Sequence, residues 1–329
     1  MRRNHHTAVL LLVLLCLTDV ALAQSATTRP ARTGARQPRE QSEFLRFVPD
    51  NAGGGRLQTS VVTYRNADGV TVDLVGAVHI ADADYYEQIN DLLADYDAVL
   101  FEMVRPRDAT TRPAQGRGAT TAPSAKRPAS LQWVGTMQRL MRDHLELEYQ
   151  MEAIDYDRAN FVHADLDAET FLEMQEQRGE SFFKLMLQAM MRELGKGPAA
   201  GAGASQPNVF ELLAALQSPD RARQLKLVLA KQFDQMDRML STLEGPKGSV
   251  ILTERNKVAL KVLEDRIRLG DKRLAIFYGA GHFKGMEKIL ETEMGFTQVG
   301  QPRWITAWDL TAASTQPSTR PTTAPARTR

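Results

Sequence analysis

Twice in this chain an apolar run of strand character ends in the same four-residue turn and passes into helical sequence. The first is Leu74-Val75-Gly76-Ala77-Val78-His79, followed by a helical pattern over 84–94. The second is Phe277-Tyr278-Gly279-Ala280-Gly281-His282, followed by one over 285–293. Strands that alternate with helices build α/β folds, and ligands of open α/β sheets collect beyond the carboxyl ends of the strands. The repeat therefore predicts an α/β fold: a central mixed or largely parallel sheet with a helical middle region and G-x-x-H turns at strand ends. Gly76, Gly279 and Gly281 permit a tight turn or a close backbone approach ahead of each histidine.

The other elements are placed around these two units. Strands are predicted over 43–49 and 56–64, with NAGGG turning between them, and over 70–75. In the helix at 84–94, Tyr85, Ile89, Leu92 and Leu93 share a face, and Asp84 with Glu87 has capping-box spacing. Residues 98–103 read as a buried strand. Helical spacing fills 131–149, two stretches within 167–194, and 210–243. The methionines of this middle (Met186, Met190, Met191, Met236, Met239) read as core, or as the lining of an apolar cleft. A helix over 250–269 starting near Thr253, a strand over 274–278 and one or two strands over 298–309 complete the series. Simple alternation would put Trp304 and Trp308 on one side of that last strand.

Several stretches lack the apolar side chains that a folded segment needs. Residues 25–41 (SATTRPARTGARQPREQ), 107–130 and 311–329 are rich in Thr, Pro, Ala and Arg. Such segments bury too little surface to offset the entropy of ordering. The expected organisation is a leader over 24–42, an α/β domain over 43–310 with a flexible insertion at 107–130 and a Gly/Ala-rich loop at 195–207, and a tail over 311–329. Ahead of the leader, Arg2 and Arg3 precede an apolar run from Ala8 to Leu17 and an Ala21-Leu22-Ala23 end. That is the form of a cleavable signal over 1–23, too short for a stable membrane span of about 20 residues. A periplasmic or secreted protein without stable membrane insertion is predicted.

The chain's one cysteine, Cys16, lies in that signal, which leaves no disulfide, zinc–thiolate site or thiol nucleophile afterwards. Losing the signal takes two of the 41 basic and one of the 40 acidic side chains, so the two signs balance. No basic excess of the kind nucleic-acid binders carry is left, and no nucleic-acid partner is expected.

The chemistry then concentrates at one predicted sheet edge. His79, His282 and Glu102, at the end of the 98–103 strand, are all placed there. Two imidazoles and a carboxylate suit Mn, Fe, Co or Zn with positions left open for water. The plainer readings are hydrogen-bonded or surface histidines, and for Glu102 an ion pair with Arg105 or Arg255. Gly279 and Gly281 do not complete a dinucleotide G-x-G-x-x-G, since the next glycine is Gly285. His144 and His163 read as surface or packing residues.

The segments LVGAVHIADADYYEQI (74–89), AVLFEM (98–103), LTERN (252–256) and FYGAGHFKGMEKIL (277–290) together resemble the TraB/PrgY/GumN family, related to the Tiki metalloproteases. The resemblance runs from about residue 56 to 310, loosely through the middle. It implies His79 and His282 as paired metal-associated histidines, Glu102 as the family's glutamate, and Glu254, Arg255 and Asn256 as its central polar segment. It also implies peptide hydrolysis with a divalent metal such as Mn or Co in part of the family. The insertion after Glu102 and the lack of a membrane tether depart from that pattern.

On this basis the sequence points to an exported metal-dependent hydrolase acting on a peptide or protein substrate. Glu102 would ligate the metal or act as base. Arg255 would stabilise developing negative charge, with a salt bridge at the helix start as its plainer role. Asn256 would orient substrate or ligand, and Glu254, Gly76, Gly279 and Gly281 would support the site. The competing reading is a periplasmic protein that binds or sequesters peptides without cutting them. One conflict stands. Simple β/α geometry predicts the start of the 250–269 helix at the far end of the sheet, whereas the resemblance puts Arg255 and Asn256 at the site; the resemblance is followed.

Overall fold

A computed structural model of the chain describes residues 44–107, 145–179, 209–231 and 248–311. The signal, the leader, nearly all of the insertion, the 195–207 loop, His144, the five named middle methionines and all but the first residue of the tail lie outside those residues.

The fold is α/β, built on a seven-stranded mixed sheet. β1 (Leu45–Pro49) and β3 (Thr71–Ala77) pair antiparallel with successive halves of the long β2 (Gly55–Arg65). β9 (Thr297–Asp309) pairs antiparallel with β2 as well. Beyond β3 the sheet is parallel, in the order β3, β8 (Arg273–Gly279), β5 (Ala98–Phe101), β7 (Phe161–His163). The central strands are covered on both faces, which explains their unbroken apolar sequence: Val72, Leu74, Val99, Leu100, Leu274, Ala275 and Ile276 have no exposed surface. Each buried leucine or valine contributes about 1.5–3 kcal/mol.

Helices join and flank these strands. α1 (Ala83–Leu93) buries Tyr85, Tyr86, Ile89 and Leu93 on the sheet. Its N-cap is Asp82, not Asp84, and the Asp82 carboxylate turns away to accept from the Asp309 amide at 2.7 Å and from Lys226 at 3.3 Å. Of the expected middle helices, residues 131–144, 180–194 and 232–243 lie outside the described residues, and the one expected up to residue 149 does not include its last two. Glu148–Tyr149 is a short strand, β6, paired antiparallel with β4 (Ile80–Ala81). α2 (Gln150–Ala153), α3 (Ala168–Arg178), α4 (Val209–Gln217) and helical residues 221–231 follow. Ser249 then caps a π turn, Val250–Glu254, which leads into α5 (Arg255–Arg268). After β8, a 3-10 turn at Ala280–His282 opens α6 (Phe283–Thr292).

The last strand is continuous, but it slips register against Leu57 and Gln58. The slip leaves both Ala307 and Trp308 buried and breaks the alternation. Trp308 is fully buried and donates from its indole nitrogen to the Ile80 carbonyl at 2.8 Å, while Trp304 lies on the other face, with Arg46 stacked 3.8 Å above it. Among the described residues no helix is long and apolar enough to cross a membrane.

Candidate active site

β3 and β8 are parallel neighbours in a register that pairs Gly76 with Tyr278 and Ala77 with Gly279. Both glycine–histidine turns therefore leave the sheet side by side at one edge. β5 and β7 end at the same edge, delivering Glu102 and, two residues past His163, Asp165.

α5 arrives from the preceding segment and runs antiparallel to β8. Its last turn lies near the amino ends of β3, β5 and β8, where Asp97 accepts from the amides of Lys272 and Arg273. Its first turn consequently lies at the carboxyl edge. The geometric conflict raised by the sequence dissolves, because a helix that precedes a parallel strand starts where that strand ends. The expectation of a remote helix start had the direction reversed.

Arg255 and Asn256, the first two residues of α5, reach into this edge. Arg255 donates from Nε to Asp165 Oδ1 at 2.8 Å and from Nη2 to Asp165 Oδ2 at 2.6 Å. The same Nη2 donates to Glu102 Oε1 at 2.7 Å. Glu102 Oε2 accepts from the Gly279 amide at 2.7 Å. A Cβ on Gly279 would stand 3.3 Å from that oxygen, so glycine here keeps the carboxylate close to the backbone. Burial alone would raise the Glu102 carboxyl, but the Arg255 charge, with His282, His79 and the Gly279 amide after it, outweighs burial and holds the group well below the usual carboxylate range. Burial likewise works against the Arg255 cation, and its two carboxylates more than restore it. Two carboxylates face one guanidinium, which leaves one negative charge in excess in a nearly dry cluster.

His282 stands beside that charge. Its Nε2 is 3.6 Å from Glu102 Oε1, and its ring meets Tyr278 edge-on with centroids 5.2 Å apart. Asn256 grips it twice: Nδ2 donates to the His282 carbonyl at 3.0 Å, and Oδ1 lies 2.6 Å from Nδ1. The carbonyl can only accept, so the Asn256 amide nitrogen is fixed there and its oxygen must face Nδ1. Nδ1 therefore carries the ring proton and Nε2 the lone pair. Burial pushes the ring's pKa down to about 4, so the ring is neutral near pH 7. Gly285 makes room for this clamp, since a Cβ there would meet Asn256 Nδ2 at 2.8 Å.

His79 is the exposed member of the group. Tyr85 and Tyr86 secure its turn by donating to the carbonyls of Gly76 at 2.7 Å and Val78 at 2.8 Å. Its Nδ1 lies 3.1 Å from Gln150 Oε1. It is near enough to act electrostatically on both Glu102 and His282.

The remaining predicted residues lie apart from this edge cluster or serve packing. Glu254 turns to Arg178 at 2.5 Å and Lys257 at 3.0 Å, not to the histidines. Gly76 lets β3 approach β2, since a Cβ would sit 3.2 Å from the Ser60 carbonyl. Gly281 lies within the 3-10 turn. His163 packs edge-on against Phe101, with its Nε2 2.7 Å from the Met103 carbonyl. Sequence reasoning passed over Asp165 and Gln150, although Asp165 follows its strand at the same edge as Glu102.

Glu102 Oε1 and His282 Nε2 have the spacing of two donors on one ion. At ligand distances of about 2.1 Å, tetrahedral donors stand about 3.4 Å apart. Among the described residues, no group of three or more His, Cys, Asp or Glu side chains is arranged to hold a metal ion. The donor chemistry and the excess charge of the pair fit a divalent cation. No family model, no curated protein and no solved structure matches the chain.

Proposed function

We propose that this chain is an exported, divalent-metal-dependent hydrolase of peptide bonds, similar in its site to the TraB/PrgY/GumN proteins. The observation that carries the reading is the pair of Glu102 Oε1 and His282 Nε2, 3.6 Å apart, with the imidazole lone pair bare and one negative charge uncompensated. Glu102 and His282 would hold the ion, and the exposed His79 would close on it from the neighbouring turn. Mn or Co is the first choice, and Zn or Fe is compatible with the same donors. A bound divalent ion would polarise the scissile carbonyl and activate water.

The protein's own groups divide the remaining work. Glu102, held ionised by Arg255 and Gly279, is a weak proton acceptor at neutral pH and suits a ligand better than a general base. Arg255 spends Nε and Nη2 on two carboxylates. The role its geometry supports is holding Glu102, not meeting charge on the substrate. Asn256 fixes the ring of His282. The peptide substrate is inferred from the resemblance.

Metal analysis of the purified chain, followed by mass spectrometry of peptide libraries incubated with the loaded protein, tests the proposal. Stoichiometric uptake lost in His282→Ala, together with new peptide termini, is expected. A chain that takes up no divalent ion overturns it, and capture of peptides without cleavage favours a peptide-binding protein instead.

A further inference from the structure

Both histidine turns are held by a carboxamide. Asn256 serves His282 from the start of a long helix. Gln150 repeats the arrangement at His79 from an unrelated part of the chain. Here the backbone N–H of Gln150, where Asn256 uses its side chain, donates to the His79 carbonyl at 3.0 Å, and the Gln150 side-chain oxygen lies 3.1 Å from Nδ1. Its Nε2 donates to the Tyr156 hydroxyl at 2.9 Å. We propose that Gln150 is the positioning residue of His79: its oxygen accepts from Nδ1–H, fixes the neutral ring in that form and leaves the Nε2 lone pair bare for a cation.

The surroundings are built to hold this residue. Gln150 is only 5% exposed although the histidine it holds is at the surface. The two-stranded sheet of β4 and β6 ends directly against the two residues, its terminal pair being Ile80 and Tyr149. Behind it, Asn90 on α1 donates to the Ala153 carbonyl at 2.8 Å and accepts from the Asp155 amide at 3.1 Å. The small sheet thus carries one buried amide to one exposed ring. A free neutral imidazole favours the Nε2–H form, so the opposite form at an exposed histidine requires a partner on Nδ1, and Gln150 is that partner. Outer partners of this kind set ligand orientation and basicity at metal sites. The cation half of the inference rests on the function proposed above; the ring form does not.

The full chain, labelled with 15N-histidine, stripped with chelator and held at alkaline pH, gives the ring form from long-range 1H–15N correlations. His79 is expected as Nδ1–H. An Nε2–H ring in the unaltered protein overturns the proposal. Gln150→Leu is expected to release the ring toward Nε2–H. Gln150→Glu, which still offers an accepting oxygen, should keep Nδ1–H. An unchanged ring in Gln150→Leu also overturns it. Should the leucine variant fail to fold, the unaltered protein and the glutamate variant still decide. In a Mn(II) titration, Gln150→Leu should bind about 10–100-fold more weakly. An Nδ1–H ring in a protein that takes up no Mn(II) sinks the hydrolase reading and leaves the clamp standing.

Discussion

The two histidine turns leave neighbouring strands at the same height, yet they are built differently. The His282 ring is buried, with Asn256, Glu102 and Tyr278 packed around it, and burial keeps it neutral. The His79 turn lies open. It is held from behind by tyrosine hydroxyls and a two-stranded sheet, with a single amide on the ring. One half of the site is thus fixed by the core and costs stability to disturb. The other half can be changed at little cost to the fold. A site that must admit a substrate needs one such open side, while a rigid opposite side keeps its donors aligned.

The sharpest way to break the closed half is to remove Arg255. Arg255→Met strands Glu102 and Asp165 as buried carboxylates without their cation. Unpairing a buried ion pair in this way costs about 3–5 kcal/mol. Urea unfolding at neutral pH should show that loss, and a change under about 1 kcal/mol would mean that the cluster is far wetter than its burial implies.

Acid probes the same half through His282. The folded ring has a pKa of about 4, against an ordinary value of 6.5. A depressed histidine leaves stability intact above 6.5. Below that the unfolded chain takes up a proton that the native ring refuses, and stability falls until pH reaches about 4. The whole window amounts to roughly 3 kcal/mol. Glu102, whose folded pKa is also lowered, begins to subtract only below its ordinary 4.5. Unfolding of the metal-free protein at several pH values between 7 and 4.5 should therefore slope downward. Half-buried His163 is shifted in the same direction and contributes to the slope, so the comparison with His282→Gln isolates the His282 share. Parallel slopes in the two proteins would show that the ring titrates normally.

How much of this was legible depended on whether a residue carried a local pattern. The strand–turn–helix repeats announced themselves through apolar runs and glycines. From these followed the α/β class, the shared edge, and the delivery of His79, His282 and Glu102 to it. Asp165 sits in a loop and Gln150 opens a four-residue helix too short to show a period, and nothing in a lone carboxylate or amide distinguishes a clamp from a surface residue. The placement of Arg255 was argued from resemblance against a mistaken helix direction. The Trp304–Trp308 pairing failed because a bulge resets the alternation, and a bulge leaves no mark in the apolar pattern. Glu148 and Tyr149 were read as helix because two residues are too few to display a strand period.

The smallest structural effect is expected at the open half. His79 is exposed, and its ring makes one side-chain hydrogen bond, to Gln150. Substitutions at such positions fall within about 0.5 kcal/mol. His79→Ala should accordingly unfold with the unaltered protein in urea. Removing an exposed ring opens its place to solvent, so water can take the place of Nδ1–H on the Gln150 oxygen. His282→Ala removes a buried ring and leaves Asn256 Oδ1 without its donor, a loss of about 1–3 kcal/mol for the unsatisfied group alone. Metal uptake should order the two variants differently. If both rings are donors, each alanine variant loses binding to a similar degree, although only one of them is destabilised. Unfolding curves and Mn(II) titrations on the same two preparations separate the outcomes. Equal destabilisation would mean that the open turn is as deeply built into the core as the closed one. Full metal affinity in His79→Ala would confine the centre to the buried half, with Glu102 and His282 as its donors and the neighbouring turn free to serve the substrate instead.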